Sequence, residues 1–212
     1  MPKPDRPAPH RRNAISNWPA VMPSKTAKPE LIVFIGLTGS GKSYLAERWA
    51  AARGYSCINS DQLRKELAGV APESRHHVPF NVGLYSTEMT RRTYGEMLKR
   101  AAAAISQGEA GVVLDGSYGA EALRNQVIDT LGGLCSIHFI HCHCSESVVK
   151  ARFQLRAQDS KAISDGRWEI YQGQKKNFVV PEWVQGGSLL HLDTDDHAEV
   201  LLARVDRFVE GS

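Results

Sequence analysis

The chain has 212 residues, 42% of them hydrophobic and 23% charged, with four cysteines and a net charge of +3. That length suits one substantial core, or one core with a small appendage, and no apolar run reaches the roughly 18 residues that a membrane-spanning helix needs. Neither a membrane partner, a secretory leader nor a disulfide framework is expected, so a reducing cytoplasm is the default location.

The charge is unevenly spread. Residues 1–29 hold six Lys/Arg and one acid, whereas the remainder holds 20 Lys/Arg against 22 acids. Bulk electrostatics of the remainder therefore argues against nucleic acid as a partner. Residues 1–29 also hold most of the prolines and show little hydrophobic periodicity. They read as a disordered basic tail, with residues 30–212 as the folded domain.

From Leu31 short apolar runs alternate with helical stretches. "LIVFI" (31–35) is apolar without alternation, which suits a strand covered on both faces. "GLTGSGKS" follows, and its Gly36, Gly41, Lys42 and Ser43 fit G-x-x-x-x-G-K-[ST] between a buried strand and a helix. Glycine lets consecutive N–H groups turn inward around an anion, and the helix adds its positive end. Gly36, Thr38, Gly39, Ser40, Gly41, Lys42, Ser43 and Tyr44 are therefore the nucleotide-binding candidates. Lys42 would reach the β- and γ-phosphates, and Ser43 would ligate Mg²⁺. In the helix that follows, Leu45, Ala46, Trp49 and Ala50 share one face, and Gly54 suits its end.

"SCIN" (56–59) predicts a second strand, with Ser60 and Asp61 just beyond it. Ligands of such sheets bind at the carboxyl ends of the strands. Asp61 there can take a proton from an attacking hydroxyl, and Arg64 one turn on can hold an anionic group. Capping of the next helix by Ser60 or Asp61 is an equally good use of those residue types. "ESRHHVPFNVGLYS" (73–86) has neither helical nor strand period, and a long helix begins near Thr87. "GVVLD" (111–115) ends in Asp115, where a carboxylate can hold Mg²⁺ through water, or close an Asp-Gly turn. "SIHFIHC" (136–142) predicts a fourth strand. The histidines and cysteines of 138–144 alternate faces and have no distal pair at zinc-like spacing, so they read as strand residues. Arg152 and Arg156 share a face of the next helix, ahead of a polar run with Ser160, Ser164, Asp165 and Gly166. "LLHLD" (189–193) and a terminal helix complete a doubly wound α/β pattern.

"GLTGSGKS" followed by "NSDQLRKELAG" resembles the P-loop kinase-like family often labelled AAA-type ATPase domain 33, and is similar to phosphate-loop kinases for gluconate, adenylylsulfate and polynucleotide 5′ ends. The block from "GLYSTEM" to "GSYGAEALR", the arginine-rich "RFQLRAQDSKAISDGRW" and "LLHLDT" match the same pattern, so the resemblance covers about residues 31–210. It implies a P-loop NTPase three-layer sandwich: five parallel strands ordered 2-3-1-4-5, with a small helical lid over about residues 152–180. It implies Asp61 as base or substrate ligand, Asp115 on the metal, Arg124 at the acceptor, Arg152 stacked on adenine and Arg156 at the transferring phosphoryl group, joined by Arg167 on closure. Arg75, His76, His77, Asn81 and Tyr85 fall where related kinases vary to suit the acceptor, and a plain surface loop fits them equally.

The resulting expectation is an ATP- and Mg²⁺-dependent kinase acting on a hydroxyl of a small-molecule acceptor. Its rivals are a polynucleotide or toxin-like kinase and a nucleotide-binding module with little turnover. Members of the family are often fused to a phosphotransferase-like domain, so a fused or neighbouring partner of that kind is expected too. No guanine-specific N/T-K-x-D run is present.

Overall fold

The computed structural model of the protein describes residues 28–71, 85–158 and 168–212. Five strands, β1 (Glu30–Ile35), β2 (Ser56–Asn59), β3 (Gly111–Asp115), β4 (Ser136–His143) and β5 (Ser188–Asp193), form one parallel sheet in the order β2-β3-β1-β4-β5. This is the expected order, and each strand lies within a residue of its sequence-predicted bounds.

The helices are α1 (Lys42–Arg53), α2 (Ser60–Leu67), α3 (Thr87–Ser106), α4 (Glu121–Leu131), α5 (Glu146–Gln158), α6 (Trp168–Asn177) and α7 (Ala198–Glu210). Because side chains alternate along a strand, β1 feeds two cores. Leu31, Val33 and Ile35 pack with α3 and α4 residues such as Met97, Leu98 and Val127. Ile32 and Phe34 pack on the other face with Leu45, Trp49, Leu201 and Val205 of α1 and α7. Each such burial is worth about 1.5–3 kcal/mol, which is why the central strand reads as an unbroken apolar run. Trp49 adds a polar tie: its indole N–H donates to Asp206 Oδ1 at 2.8 Å, and Arg53 pairs with the same oxygen at 2.5 Å. α1 is thereby locked to α7.

Helix ends follow local chemistry. Gly54 closes α1 at φ 68°, donating to the Ala50 and Ala51 carbonyls. Ser86 caps α3 through Met89 N–H. α2 is capped by Asn59, whose side chain accepts from Asp61 and Gln62 N–H, and not by Ser60 or Asp61. Asp61 is thus left for other work. α6 lies inside the expected lid region, as a ten-residue helix that buries Ile170 and Tyr171.

The chain runs to one side of β1 to build β2 and β3, then to the other for β4 and β5. The loops leaving the carboxyl ends of the strands therefore diverge beside β1, and a crevice opens at that switch point. Gly36, Ser60, Asp115, Cys144 and Thr194 all stand on this edge.

Candidate nucleotide and acceptor site

The loop after β1 turns through Gly39 (φ 82°) and Gly41 (φ 87°) into α1. Substitution of Gly39 is doubly unfavourable, since a Cβ would also sit 2.8 Å from Val149 Cγ1 of α5. Gly36 N–H donates to Ser117 O at 3.2 Å, tying the loop to the segment after β3. Gly41 is the N-cap of α1; no side chain caps this helix and no acid lies in its first turn. The first-turn N–H groups have no acceptor inside a helix, so this end is built to receive an anion.

A cavity of about 270 Å³ opens beside the loop. It is lined by Thr38, Lys42, Ser43 and Asp115 together with Asp61, Arg64, Tyr85, Thr87 and Thr90. Asp115 is 1% exposed. Burial raises its pKa, with the Lys42 ammonium and the Ser43 hydroxyl pulling the other way. Its Oδ2 accepts from Asn59 Nδ2 at 2.5 Å, while its Oδ1 is buried without a hydrogen bond from any described residue. A buried carboxylate oxygen without a donor, beside a serine hydroxyl, is a hard-oxygen set of the type Mg²⁺ takes, so the residues present fit that ion. Asp61 pairs with Arg64 at 3.1 Å, and the Arg64 guanidinium lies 4.9 Å over the Tyr85 ring. The pair holds the Asp61 carboxylate at the mouth of β2, facing the same cavity as Lys42.

A second cavity of about 220 Å³ lies on the other side of the loop, lined by Gly41, Tyr44, Leu45, Arg152, Thr194, His197 and Leu201. Arg152 forms its wall. Its Nη1 donates to Gly39 O and to Thr194 Oγ1, both at 3.1 Å, and its Nη2 to Thr194 O at 2.6 Å. Thr194 Oγ1 in turn donates to Ser40 O at 2.7 Å. The tip of β5 and α5 therefore hold the Gly39 and Ser40 carbonyls of the loop.

A protein-family model, AAA_33, described as an AAA domain, matches residues 31–181. The chain belongs to the AAA_33 family, whose fold is that of the P-loop kinases. Three solved structures show the likeness in fold. A sugar kinase from Janibacter sp. HTCC2649 is 18% identical with a TM-score of 0.65, over 86% of this chain and 95% of that one. A gluconokinase from Sinorhizobium meliloti 1021 is 21% identical, TM-score 0.58, over 87% and 97%. The APS kinase CysC from Mycobacterium tuberculosis is 18% identical, TM-score 0.58, over 87% and 99%. A search of curated protein sequences finds no match.

Within this AAA_33 domain, the structure brings Thr38, Lys42, Ser43, Asp61, Arg64 and Asp115 to one cleft, and Gly41, Tyr44 and Arg152 to the cavity beside it. It does not bring Arg124 there. Expected at the acceptor, Arg124 is 3% exposed and donates to Tyr118 O at 2.8 Å. It borders a different cavity, with Val179–Gly186. Burial lowers its pKa, and its placement makes it a brace for the loop after β3. That loop carries backbone strain: Tyr118 has φ 44°, and Tyr94 Oη accepts from both Ser117 and Tyr118 N–H. The Arg156 side chain, Arg167, and the 73–84 candidates Arg75, His76, His77 and Asn81 lie outside the described residues.

The strand histidines are accounted for locally. His138 Nδ1 meets Ser188 Oγ at 2.8 Å, and His141 Nδ1 meets His191 Nδ1 at 3.0 Å. No group of three or more His, Cys, Asp or Glu residues able to hold a metal is found among the described residues. No described helix is long and apolar enough to cross a membrane.

Sequence reading missed Asn59, Thr194 and Gln174. Asn59 had a local signal, an Asn at the boundary between strand and helix. Gln174 had none. Its Oε1 accepts Thr38 N–H at 2.9 Å across 136 positions of sequence, a contact that only tertiary folding creates.

Proposed function

We propose that the protein is an ATP-dependent phosphotransferase that moves the γ-phosphoryl group to a hydroxyl of a small-molecule acceptor. One observation carries this reading: a single cleft joins the phosphate-loop residues Lys42 and Ser43 to the Asp61–Arg64 pair. Leu123, Ile170 and Phe178 give that cleft an apolar chamber beside the loop, which simple hydrolysis does not require. A kinase needs one, to seat an acceptor beside the terminal phosphoryl group.

The nucleoside sits on the Gly41, Tyr44 and Arg152 side, and the phosphates run along the loop amides towards Thr38. Lys42 neutralises charge on the transferring group. Ser43 and Asp115 would hold Mg²⁺, which would supply charge neutralisation to the triphosphate. Asp61 accepts the proton of the acceptor hydroxyl as its oxygen bonds to phosphorus. The bond from phosphorus to the bridging oxygen breaks, and its electron pair leaves with ADP. Arg64 fixes the Asp61 rotamer. Tyr85, Leu123, Ile170 and Phe178 exclude water that would otherwise take the phosphoryl group. Arg152 acts by pinning Gly39 O and Thr194, which shapes the nucleotide loop. The APS kinase structure was solved with AMPPNP and APS, which supports a two-substrate cleft on this fold.

The test is mass-spectrometric screening of metabolite pools incubated with ATP and Mg²⁺. A metabolite that gains one phosphoryl group with wild type, and not with Asp61→Asn, identifies the acceptor. ATP binding without any phosphorylated product would favour a binding module instead.

A further inference from the structure

Thr38 is the loop residue that faces the acceptor cleft, and its N–H is already engaged by Gln174 of α6. Gln174 is half-buried and lines the same cleft as Lys42, Ser43 and Asp115. We propose that Gln174 is a specificity-determining residue for the terminal phosphoryl group. Its side-chain carbonyl occupies the loop amide that the γ-phosphoryl oxygen takes, so a nucleoside triphosphate displaces it and a diphosphate leaves it in place. This inference rests on the phosphotransferase reading and goes beyond it.

The direction of the phosphate chain sets the argument. The nucleoside-side cavity is lined by Gly41, Tyr44 and Arg152, and the acceptor-side cavity by Thr38, Lys42 and Ser43. A triphosphate spanning the two places its far end at Thr38. A backbone N–H carries one proton, so Gln174 and a phosphate oxygen compete for it. A charged acceptor makes roughly twice as strong a bond as a neutral one, so the phosphate wins when it is present. The carboxamide then has a second use that a carboxylate lacks. Rotated about its last torsion, its NH₂ group donates to the phosphate oxygen that displaced it. Glutamine therefore suits a side chain that must satisfy the amide before binding and tolerate an anion after it.

The contact also has a route outward. Four residues beyond the helix turn that carries Gln174, Phe178 lines the acceptor cavity, and Val179 N–H donates to Gly119 O at 2.9 Å. The carboxamide at the loop amide and the cavity wall formed by Ile170, Asn177 and Phe178 thus sit on one continuous stretch of chain.

The experiment measures Mg²⁺-nucleotide binding by calorimetry for wild type, Gln174→Glu and the near-isosteric Gln174→Met, using ATP and ADP as probes, with melting temperatures as the folding control. Gln174→Glu accepts the same N–H but repels the terminal phosphate. It is expected to weaken ATP by about tenfold relative to ADP. Gln174→Met is expected to change ATP affinity while leaving ADP within about twofold. If both nucleotides shift equally in both variants, or neither shifts, Gln174 merely ties α6 to the loop and the proposal fails. That outcome is distinct from wild type binding neither nucleotide, which overturns the phosphotransferase reading and this inference together.

Discussion

Asn59 donates a side-chain N–H to Asp115 Oδ2 at 2.5 Å across the boundary between β2 and β3. Its carbonyl oxygen accepts Asp61 N–H at 2.9 Å. One carboxamide thus sets both the carboxylate facing the loop and the start of the helix that carries Asp61. Asn59→Ala removes a helix cap, worth about 1 kcal/mol, and leaves a buried carboxylate oxygen without its donor, costing about 1–3 kcal/mol more. Asn59→Ser restores the cap but supplies no amide donor, so its stability falls between the two. Denaturant midpoints check the order; an Asn59→Ala protein as stable as wild type contradicts it.

Lys42 and Asp61 line one cleft but have different roles and should fail differently. Lys42→Ala loses nucleotide affinity together with transfer. Asp61→Asn keeps nucleotide affinity and loses about 10²–10⁴-fold in kcat, the range of a general base. Binding measured by calorimetry and turnover measured on the identified acceptor separate the two. Unchanged turnover in Asp61→Asn removes it from the base role.

Arg152 holds Gly39 O and Thr194 O with a planar fork that lysine cannot reproduce. Arg152→Lys should lower the melting temperature and weaken ATP, because the loop's carbonyl side loses its anchor. The loss should be about 1–3 kcal/mol, as for other half-buried hydrogen-bonded charges. Thermal melts with and without ATP and Mg²⁺ report both effects, and a variant that melts and binds like wild type speaks against the anchoring role.

Burial, then the neighbouring His191, His143 and Arg124, pushes the His141 pKa down to about 4 from 6.5. The unfolded chain therefore binds a proton that the folded chain refuses between those values. Stability conferred by neutral His141 is full above pH 6.5 and is lost as pH falls towards about 4. Asp115, with its pKa raised by burial, contributes the opposite slope over its own range. Comparing wild type with His141→Gln cancels the Asp115 contribution. The wild type should lose more stability on acidification than the variant; parallel curves contradict this.

Much of the fold was written locally. The unbroken run at 31–35 announced a strand buried on both faces, and Lys42 and Gly54 marked the ends of α1. The cleft was legible where the loop motif marks Ser43 and where a strand ends at or just before a carboxylate, as at Asp115 and Asp61. What sequence could not show was direction across the fold. Arg124 lies on the expected helix, yet its guanidinium turns to Tyr118 O rather than the cleft, because α4 packs that face inward. Arg152 borders the cavity with Gly41 and Tyr44, and its donors go to Gly39 O and Thr194, partners that only the folded chain reveals. Gln174 meets Thr38 only because α6 folds back over the loop.

Hydrogen–deuterium exchange over residues 36–44, with and without ATP and Mg²⁺, is the most direct test of the claim that this loop cradles a triphosphate. Wild type should show slowed exchange across Gly36–Tyr44 on adding ATP, and Lys42→Ala should not. Exchange in the wild-type loop that is unaltered at high ATP concentration contradicts the nucleotide site and everything built on it.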